Sequence, residues 1–180
     1  MTESSFRIAR LPLPVHASDL RDLAHLLVDA VDSGAAVSFL PPLPVARAEE
    51  WWRSAVGSAS PRAIFLVARD AEGIAGTVQF HPAWAPNQPH RGEIAKLLVH
   101  RRARRAGLGV ALMGAVEEAA RRDGFRLLVL DARKGGPAER LYRKIGWVHV
   151  GSIPNFALDP DGITPHDNVI FYKELAAAGE

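Results

Sequence analysis

Apolar residues recur along the chain at two spacings, one typical of helices and the other typical of strands. Leu20, Leu23, Leu27 and Val31 lie three or four residues apart, which is the spacing of one face of a helix. Three further segments with helical spacing begin or end beside Gly or Pro. The predicted helices are residues 20–33, capped by Ser18 or Asp19 and ended by Gly34, and residues 45–56, 107–122 and 137–145.

Short runs rich in apolar and β-branched residues predict seven strands. The segment 70–73 has turn composition, so the strands on either side of it are expected to form a hairpin. The run 126–131 is nearly all apolar, which predicts a strand near the centre of a sheet. The predicted strands are residues 6–10, 63–69, 74–80, 93–100, 126–131, 147–151 and 169–175. Their order with the helices predicts a mixed α/β sandwich in a single domain, residues 1–180.

Composition excludes several kinds of site. The chain has no cysteine, which excludes disulfides, Cys-ligated zinc, iron–sulfur clusters and a thiol nucleophile. The seven histidines are scattered without metal-ligand spacing, so we expect no metal. A net charge of +2 is too small to indicate a nucleic-acid partner. No apolar run approaches the roughly 18 residues of a membrane span and no secretory signal pattern opens the chain, so we expect a cytoplasmic protein with no membrane partner.

The stretch Lys96–Val110 carries the clearest candidate chemistry, because a predicted strand leads through an Arg- and Gly-rich loop into a helix. The start of a helix presents free backbone N–H groups and partial positive charge, which suit a pyrophosphate. Gly107 and Gly109 would let that group approach the backbone closely. Neither a Walker ending nor a G-x-G-x-x-G fingerprint is present. On these residues alone, a plain helix start beside a solvated basic loop remains an alternative.

Two motifs in this order and spacing resemble those of the GNAT superfamily of N-acetyltransferases. They are Leu97-x-Val99 followed by Arg104-x-x-Gly107-x-Gly109, and Ala138-x-x-Leu141-Tyr142-x-x-x-Gly146-Trp147. The resemblance covers nearly the whole chain, is strongest over 91–175, and extends to a toxin-resistance branch of the family. It implies a mixed, mostly antiparallel sheet of six or seven strands flanked by about four helices, with strands that splay apart at an acetyl-CoA site.

The resemblance also implies how acetyl-CoA, as co-substrate, would be held. The backbone of Leu97 would lie near the thioester carbonyl, and that of Val99 would pair with pantetheine like an added strand. The pyrophosphate would bind at the helix start, although Arg101 replaces the Pro that is frequent after the strand. The implied cofactor-binding residues are Leu97, Leu98, Val99, Arg104, Arg105, Ala106, Gly107, Leu108, Gly109 and Val110.

Three side chains are candidates for moving protons, because an ammonium must lose a proton before it attacks and the departing thiolate must gain one. Tyr142 resembles the family's thiolate acid, with a packed aromatic as the alternative. Glu93 matches a base position, lies four residues before Leu97 and is therefore expected on the same strand face; a solvated carboxylate is its alternative. Asp131, at the end of a buried strand, would bind the substrate ammonium or act as base, with a capping role as the alternative.

The sequence therefore predicts an acetyl-CoA-dependent N-acetyltransferase that acts by direct attack of a primary amine. The acceptor is expected to be a small amino-acid-like or amine compound, such as a toxin or antibiotic. Phe156 and His166, on the predicted loop between the closing strands, are candidate substrate contacts. Alternatives are a protein lysine or N-terminal acetyltransferase and a non-catalytic acyl-CoA-binding regulatory module. The resemblance also raises a homodimer, formed through strands and the C-terminal segment.

Overall fold

The computed structural model of the protein describes residues 6–176. Helices and strands follow one another in the predicted order, and one turn of 3-10 helix, Arg101–Ala103, follows the fourth strand. The strands are β1 (Arg7–Arg10), β2 (Ile64–Asp70), β3 (Gly73–Pro82), β4 (Arg91–Val99), β5 (Leu127–Arg133), β6 (Val148–Leu158) and β7 (Pro165–Glu174). The helices are α1 (Ala17–Asp32), α2 (Val45–Gly57), α3 (Leu108–Arg122) and α4 (Pro137–Lys144). None of these helices is long and apolar enough to cross a membrane.

The seven strands form one sheet in the order β1-β2-β3-β4-β5-β7-β6, antiparallel except for the β4–β5 pair. Helices α1 and α2 cover one face, and α3 and α4 cover the other. Residues 64–68 of β2 are all apolar because this part of the strand is buried on both sides. Ile64 and Leu66 face the α3 core, whereas Phe65 and Val67 face the α1 core. The predicted fold, a mixed and mostly antiparallel sheet of six to seven strands flanked by about four helices, is confirmed.

Strands β4 and β5 pair over only three residues and then separate. The paired residues are Arg91, Gly92 and Glu93 on β4, which face Leu127, Leu128 and Val129 on β5. Beyond Glu93 the rest of β4 has its register partners on β3 alone, and the rest of β5 has them on β7 alone. A fork therefore opens inside the sheet, and each of its two edges presents backbone groups that have no neighbouring strand.

A β-bulge at Lys96 reverses the faces of β4 within the fork. Gln79 pairs with Ala95 and Thr77 with Leu98, so two β4 residues, Lys96 and Leu97, face a single β3 position. Lys96 takes a left-handed backbone conformation with φ +49°. As a result Ile94 packs into the α3 core but Leu98, four residues on, packs into the α1 core.

Two local predictions were wrong. Helix α1 begins at Ala17 with His16 at the N-cap and no side-chain cap, so neither Ser18 nor Asp19 caps it. Asp19 instead accepts two hydrogen bonds from the Arg69 guanidinium of β2, at 2.8 and 2.9 Å. The charged pair outweighs the local capping bond because it also ties the helix to the sheet.

The closing strands are longer than predicted. β6 continues through Leu158 and β7 begins at Pro165, so Phe156 and His166 lie on strands rather than on a loop. The prolines that suggested a loop occupy positions where a strand tolerates them. Pro165 is the first residue of β7, and the segment 154–156 forms a bulge between two paired stretches.

Gly92 tests the packing at the base of the fork. A Cβ added there would lie 2.0 Å from Cε2 of Phe80, a fully buried ring that packs against Phe125 with centroids 4.5 Å apart. We expect Gly92→Ala to lower the free energy of unfolding by about 1–3 kcal/mol through overpacking. The control is Gly114→Ala in α3, where a Cβ meets nothing within 4 Å, and we expect a gain of about 0.5–1 kcal/mol. Urea unfolding measures both, and an unchanged midpoint for Gly92→Ala would contradict the contact.

Candidate active site

The start of α3 has the form of an anion site. Gly107 is the N-cap, with φ +79°, and no side chain caps the free N–H groups of the first turn. A Cβ built at Gly107 would meet nothing within 4 Å, so open space lies in front of this backbone. Arg105 also has a positive φ, +64°, in the turn that leads into the helix. The structure thus brings the predicted pyrophosphate residues, 104–110, together at one helix N-terminus.

Asp29 of α1 anchors this loop, and the sequence analysis missed it. The side chain is buried, and its carboxylate accepts hydrogen bonds from both the Arg101 amide, at 3.0 Å, and the Arg101 guanidinium. The Arg104 guanidinium lies 3.6 Å away and His100 Nε2 lies 3.7 Å away. Arg101 stands where the family frequently has Pro, so an ion pair supplies the anchoring. The sequence feature that could have indicated this role is a single acidic residue within the otherwise apolar run 26–31.

The inner edge of β4 is partly occupied by the protein's own side chain. Arg104 Nε donates a hydrogen bond to the Val99 carbonyl at 3.1 Å. Leu97 and Val99 otherwise turn their side chains into the α3 core, while their backbone follows the open fork. A ligand that pairs with the Val99 carbonyl therefore shares this oxygen with the Arg104 guanidinium or replaces it.

Two carboxyl groups lie at the opening of the fork. Glu93 is the last residue of β4 that pairs with β5, and Asp131 follows two residues after its partner Val129. Partial burial raises the pKa of Glu93, and the negative charge of Asp131 raises it further. Partial burial likewise raises the pKa of Asp131, while the positive charge of Lys96 opposes the rise. Both groups therefore hold a proton at higher pH than an ordinary carboxyl group does.

The local placement of these two residues differs from the predictions. Glu93 and Leu97 were predicted to share a strand face, but the bulge at Lys96 lies between them and places them on opposite faces. Leu97 packs on the α3 side of the sheet. Glu93 points to the α1 side, as does its register partner His81. Asp131 lies within β5, which continues to Arg133, so it does not cap the strand. Its carboxylate accepts a hydrogen bond from the amide of Asn168 on β7.

Tyr142 of α4 is almost fully buried, at 5% exposure, with its ring centroid 6.0 Å from those of Trp147 and Phe171. Burial and then the negative charge of Asp131 raise the pKa of its hydroxyl. The phenol is therefore neutral near pH 7 and available as a proton donor. Its hydroxyl makes no hydrogen bond to any other part of the described chain. The Tyr142 ring can therefore pack in the core while its hydroxyl remains available to donate a proton.

A cavity of about 330 Å³ opens beside Asp131, between the segment 35–40 and the strands β5, β6 and β7. Phe156 and His166, the two predicted substrate contacts, both line it together with Asn168. Asn168 is buried, and its Oδ1 has no hydrogen-bond partner within residues 6–176. An acceptor-rich wall of this kind, a carboxylate beside a free amide oxygen, suits an ammonium group. No group of three or more possible metal ligands occurs in the described part of the chain.

Comparison with known proteins places this geometry in a family. The profile of the Acetyltransferase (GNAT) family matches residues 25–147, which include both motifs and the fork. An uncharacterised N-acetyltransferase from the hisH–hisA intergenic region of Azospirillum brasilense is 35% identical over 118 residues, 64% of this chain and 69% of that protein. The L-methionine sulfoximine/L-methionine sulfone acetyltransferase of Pseudomonas aeruginosa is 29% identical over 139 residues, 76% of this chain and 79% of that protein.

Solved structures show the same fold at lower identity. The ribosomal-protein-alanine N-acetyltransferase of Brucella melitensis superposes with a TM-score of 0.76 at 21% identity, over 94% of this chain and 99% of that chain. The Salmonella typhimurium protein yncA, solved with its cofactor acetyl-CoA, also gives 0.76, at 18% identity and over 98% of both chains. The motifs, the forked sheet and these similarities agree: the chain belongs to the GNAT family of N-acetyltransferases.

Proposed function

We propose that the protein transfers the acetyl group of acetyl-CoA to the primary amine of a small, amino-acid-like acceptor. The amine attacks directly, without a covalent enzyme intermediate. The observation that carries the proposal is the fork, where two carboxyl groups of raised pKa, Glu93 and Asp131, lie at the opening and Asp131 also lines a cavity of about 330 Å³. A cavity of this size suits a small molecule, and relatives named for L-methionine sulfoximine and L-methionine sulfone support an amino-acid-like acceptor.

Acetyl-CoA fits the groups that line the fork. The first turn of α3 supplies uncapped N–H donors and a positive helix end for the pyrophosphate, and Gly107 leaves the approach open. The free edge of β4 supplies backbone partners for the pantetheine arm, and the Leu97 amide would donate to the thioester oxygen. A donor fixed at that oxygen lowers the barrier because negative charge develops there during attack.

Asp131 and Glu93 have different roles toward the amine of the acceptor. Asp131 already accepts a hydrogen bond from Asn168, which stabilises its anionic form, so we assign it to holding the ammonium. Glu93 has no salt-bridge partner in the described part of the chain, and its raised pKa brings it closer to that of an amine. We therefore assign Glu93 as the general base and Tyr142 as the donor to the departing thiolate.

The first test measures thiol release from acetyl-CoA against a panel of amino acids, amines and lysine peptides. We expect release to depend on an amino-acid-like acceptor and Tyr142→Phe to lower kcat by about 100-fold, with little change in the KM for acetyl-CoA. The chain's other tyrosine provides a matched control. Tyr172→Phe removes a hydroxyl from the opposite face of the sheet and should leave kcat nearly unchanged. Equal losses in both variants would contradict the role of Tyr142.

A pH profile separates the two carboxyl groups. Because the pKa of Glu93 is raised, the base is protonated and kcat/KM falls as the pH drops through a value above the ordinary carboxyl range. We expect Glu93→Gln to lower kcat by about 100-fold and to flatten this acid limb. Asp131→Asn should mainly raise the KM of the acceptor and keep the limb. The opposite pattern would exchange the two assignments.

Asp29→Asn tests the anchor beneath the pyrophosphate loop. Loss of the carboxylate charge frees Arg101 and Arg104, so we expect the KM for acetyl-CoA to rise by about tenfold while kcat changes little. Asp32→Asn, at the exposed end of the same helix, is the control and should change neither constant. An unchanged KM in Asp29→Asn, measured at fixed acceptor concentration, would show that the loop holds its shape without the ion pair.

A further inference from the structure

A second cavity, of about 410 Å³, lies between α2 and the strands β3 and β4. Trp51 forms one wall, and Gln79, His81 and Lys96 supply most of the polar lining, with no Asp or Glu among the lining residues. The cavity shares no lining residue with the one beside Asp131, but its Lys96 donates hydrogen bonds to Val37 and Ser38, which line that neighbouring cavity. Its wall is rich in hydrogen-bond donors, in contrast to the acceptor-rich wall around Asp131.

Gln79 presents an unpaired donor to this cavity. The side chain is 2% exposed, and its Oε1 accepts a hydrogen bond of 2.8 Å from His81 when the imidazole carries its proton on Nε2. The Nε2 of Gln79 has no hydrogen-bond partner in the part of the chain that the structure describes. A buried N–H without a partner costs about 1–3 kcal/mol, so such a group points to a ligand atom that accepts its hydrogen bond.

Lys96 supplies the positive charge of the cavity. Its ammonium donates to the Val37 carbonyl at 3.2 Å and to the Ser38 hydroxyl at 3.1 Å, and it lies 5.4 Å from the centroid of the Trp51 ring. These partners are neutral, and within residues 6–176 no carboxylate lies within 4 Å of it. The carboxylates of Glu93 and Asp131 act on Lys96 from beyond salt-bridge distance, so the ammonium retains the capacity to bind an anion directly.

The position of Lys96 restricts which anion can bind. Lys96 directly precedes Leu97, the residue assigned to the thioester carbonyl, and its left-handed bulge conformation is the strained feature of β4. In an α-amino acid, the carboxylate is bonded to the carbon that carries the amine. The group that recognises this carboxylate must therefore lie beside the groups that hold the amine, and Lys96 is a cation that interacts electrostatically with both Glu93 and Asp131.

We propose that this cavity binds the carboxylate of an α-amino-acid acceptor, with Lys96 as the charge and the Gln79 amide as a second donor. The amine of the same acceptor is then held by Asp131 and Glu93 next to Lys96, so the two ends of a zwitterion meet adjacent groups of opposite charge. This assignment rests on the proposed function and adds a substrate requirement to it. The acceptor must carry a free carboxylate beside its amine.

The test compares L-methionine sulfone, and a panel of other α-amino acids, with the corresponding primary amides. The parent enzyme should prefer each acid over its amide by about tenfold or more in kcat/KM. In Lys96→Met this preference should collapse toward one through a higher KM for the acid, with little change for the amide. Lys96→Arg should recover part of the preference. Gln79→Met should also reduce the preference, and an unfolding midpoint that stays above the assay temperature shows that the reduction comes from the lost donor and not from unfolding.

Ser38→Ala is the control for a purely structural role of Lys96. It removes one of the two bonds by which Lys96 ties the segment 35–40 to β4 but leaves the charge in place. We expect its acid-over-amide preference to equal that of the parent. A loss equal to that in Lys96→Met would overturn the proposal in favour of a simple tie between loop and strand.

Failure of this proposal is distinguishable from failure of the proposed function. Acetylation of amines at equal rates with and without the carboxylate, unchanged in Lys96→Met, would overturn the subsite and keep the enzyme. Should no amine be acetylated while CoA still binds, calorimetry of L-methionine sulfone with the CoA complex becomes the test. Binding to the parent that Lys96→Met abolishes would support the subsite, and equal or absent binding in both proteins would overturn it.

Discussion

The early end of the β4–β5 pairing is the constraint on which the rest of the site depends. Two parallel strands in one sheet need a long crossover, and α3 provides it, so the helix begins where β4 ends. Because pairing stops after Glu93, the two strands diverge toward that same end. The fork therefore leads from the acidic pair directly to the helix N-terminus. A single break in the ladder thus sets both the depth of the site and the direction in which a long ligand would lie.

The bulge at Lys96 is a second feature of β4, besides its short pairing with β5, that shapes the site. One extra residue exchanges the faces of all residues that follow it, since side chains alternate along a strand. In a regular strand of the same sequence, Glu93 and Leu97 would lie on one face, because they are four residues apart. With the bulge, Glu93 points to the α1 side while Leu97 packs into the α3 core. Lys96, at the point of reversal, faces the segment 35–40 and Trp51. The bulge thereby lets one short strand direct a carboxyl group, Glu93, to one face of the sheet and an apolar side chain, Leu97, to the other.

How far the sequence predicts this protein depends on how local each signal is. The order of the elements was predicted from neighbouring residues, and the bounds of the hairpin strands and the helix start at Gly107 were predicted within two positions. The bulge was not predicted, because nothing in the composition of 91–99 marks an extra residue. Asp29 was missed since its partner Arg101 lies 72 residues away. The convergence of Asp131, Phe156 and His166 on one cavity likewise depends on how β5, β6 and β7 pair, which a single sequence does not reveal.

The two free edges of the fork have a consequence for stability as well as for chemistry. Inside a closed sheet, neighbouring strands satisfy the backbone groups; here only the Arg104 guanidinium caps the Val99 carbonyl. A molecule that pairs with these edges binds the folded chain and not the unfolded one, so its concentration enters the folding equilibrium. At 100 times its dissociation constant, such a molecule adds about 2.7 kcal/mol to the free energy of unfolding. The fraction of folded protein, and with it resistance to proteolysis, is therefore coupled to the supply of any molecule that pairs with these edges.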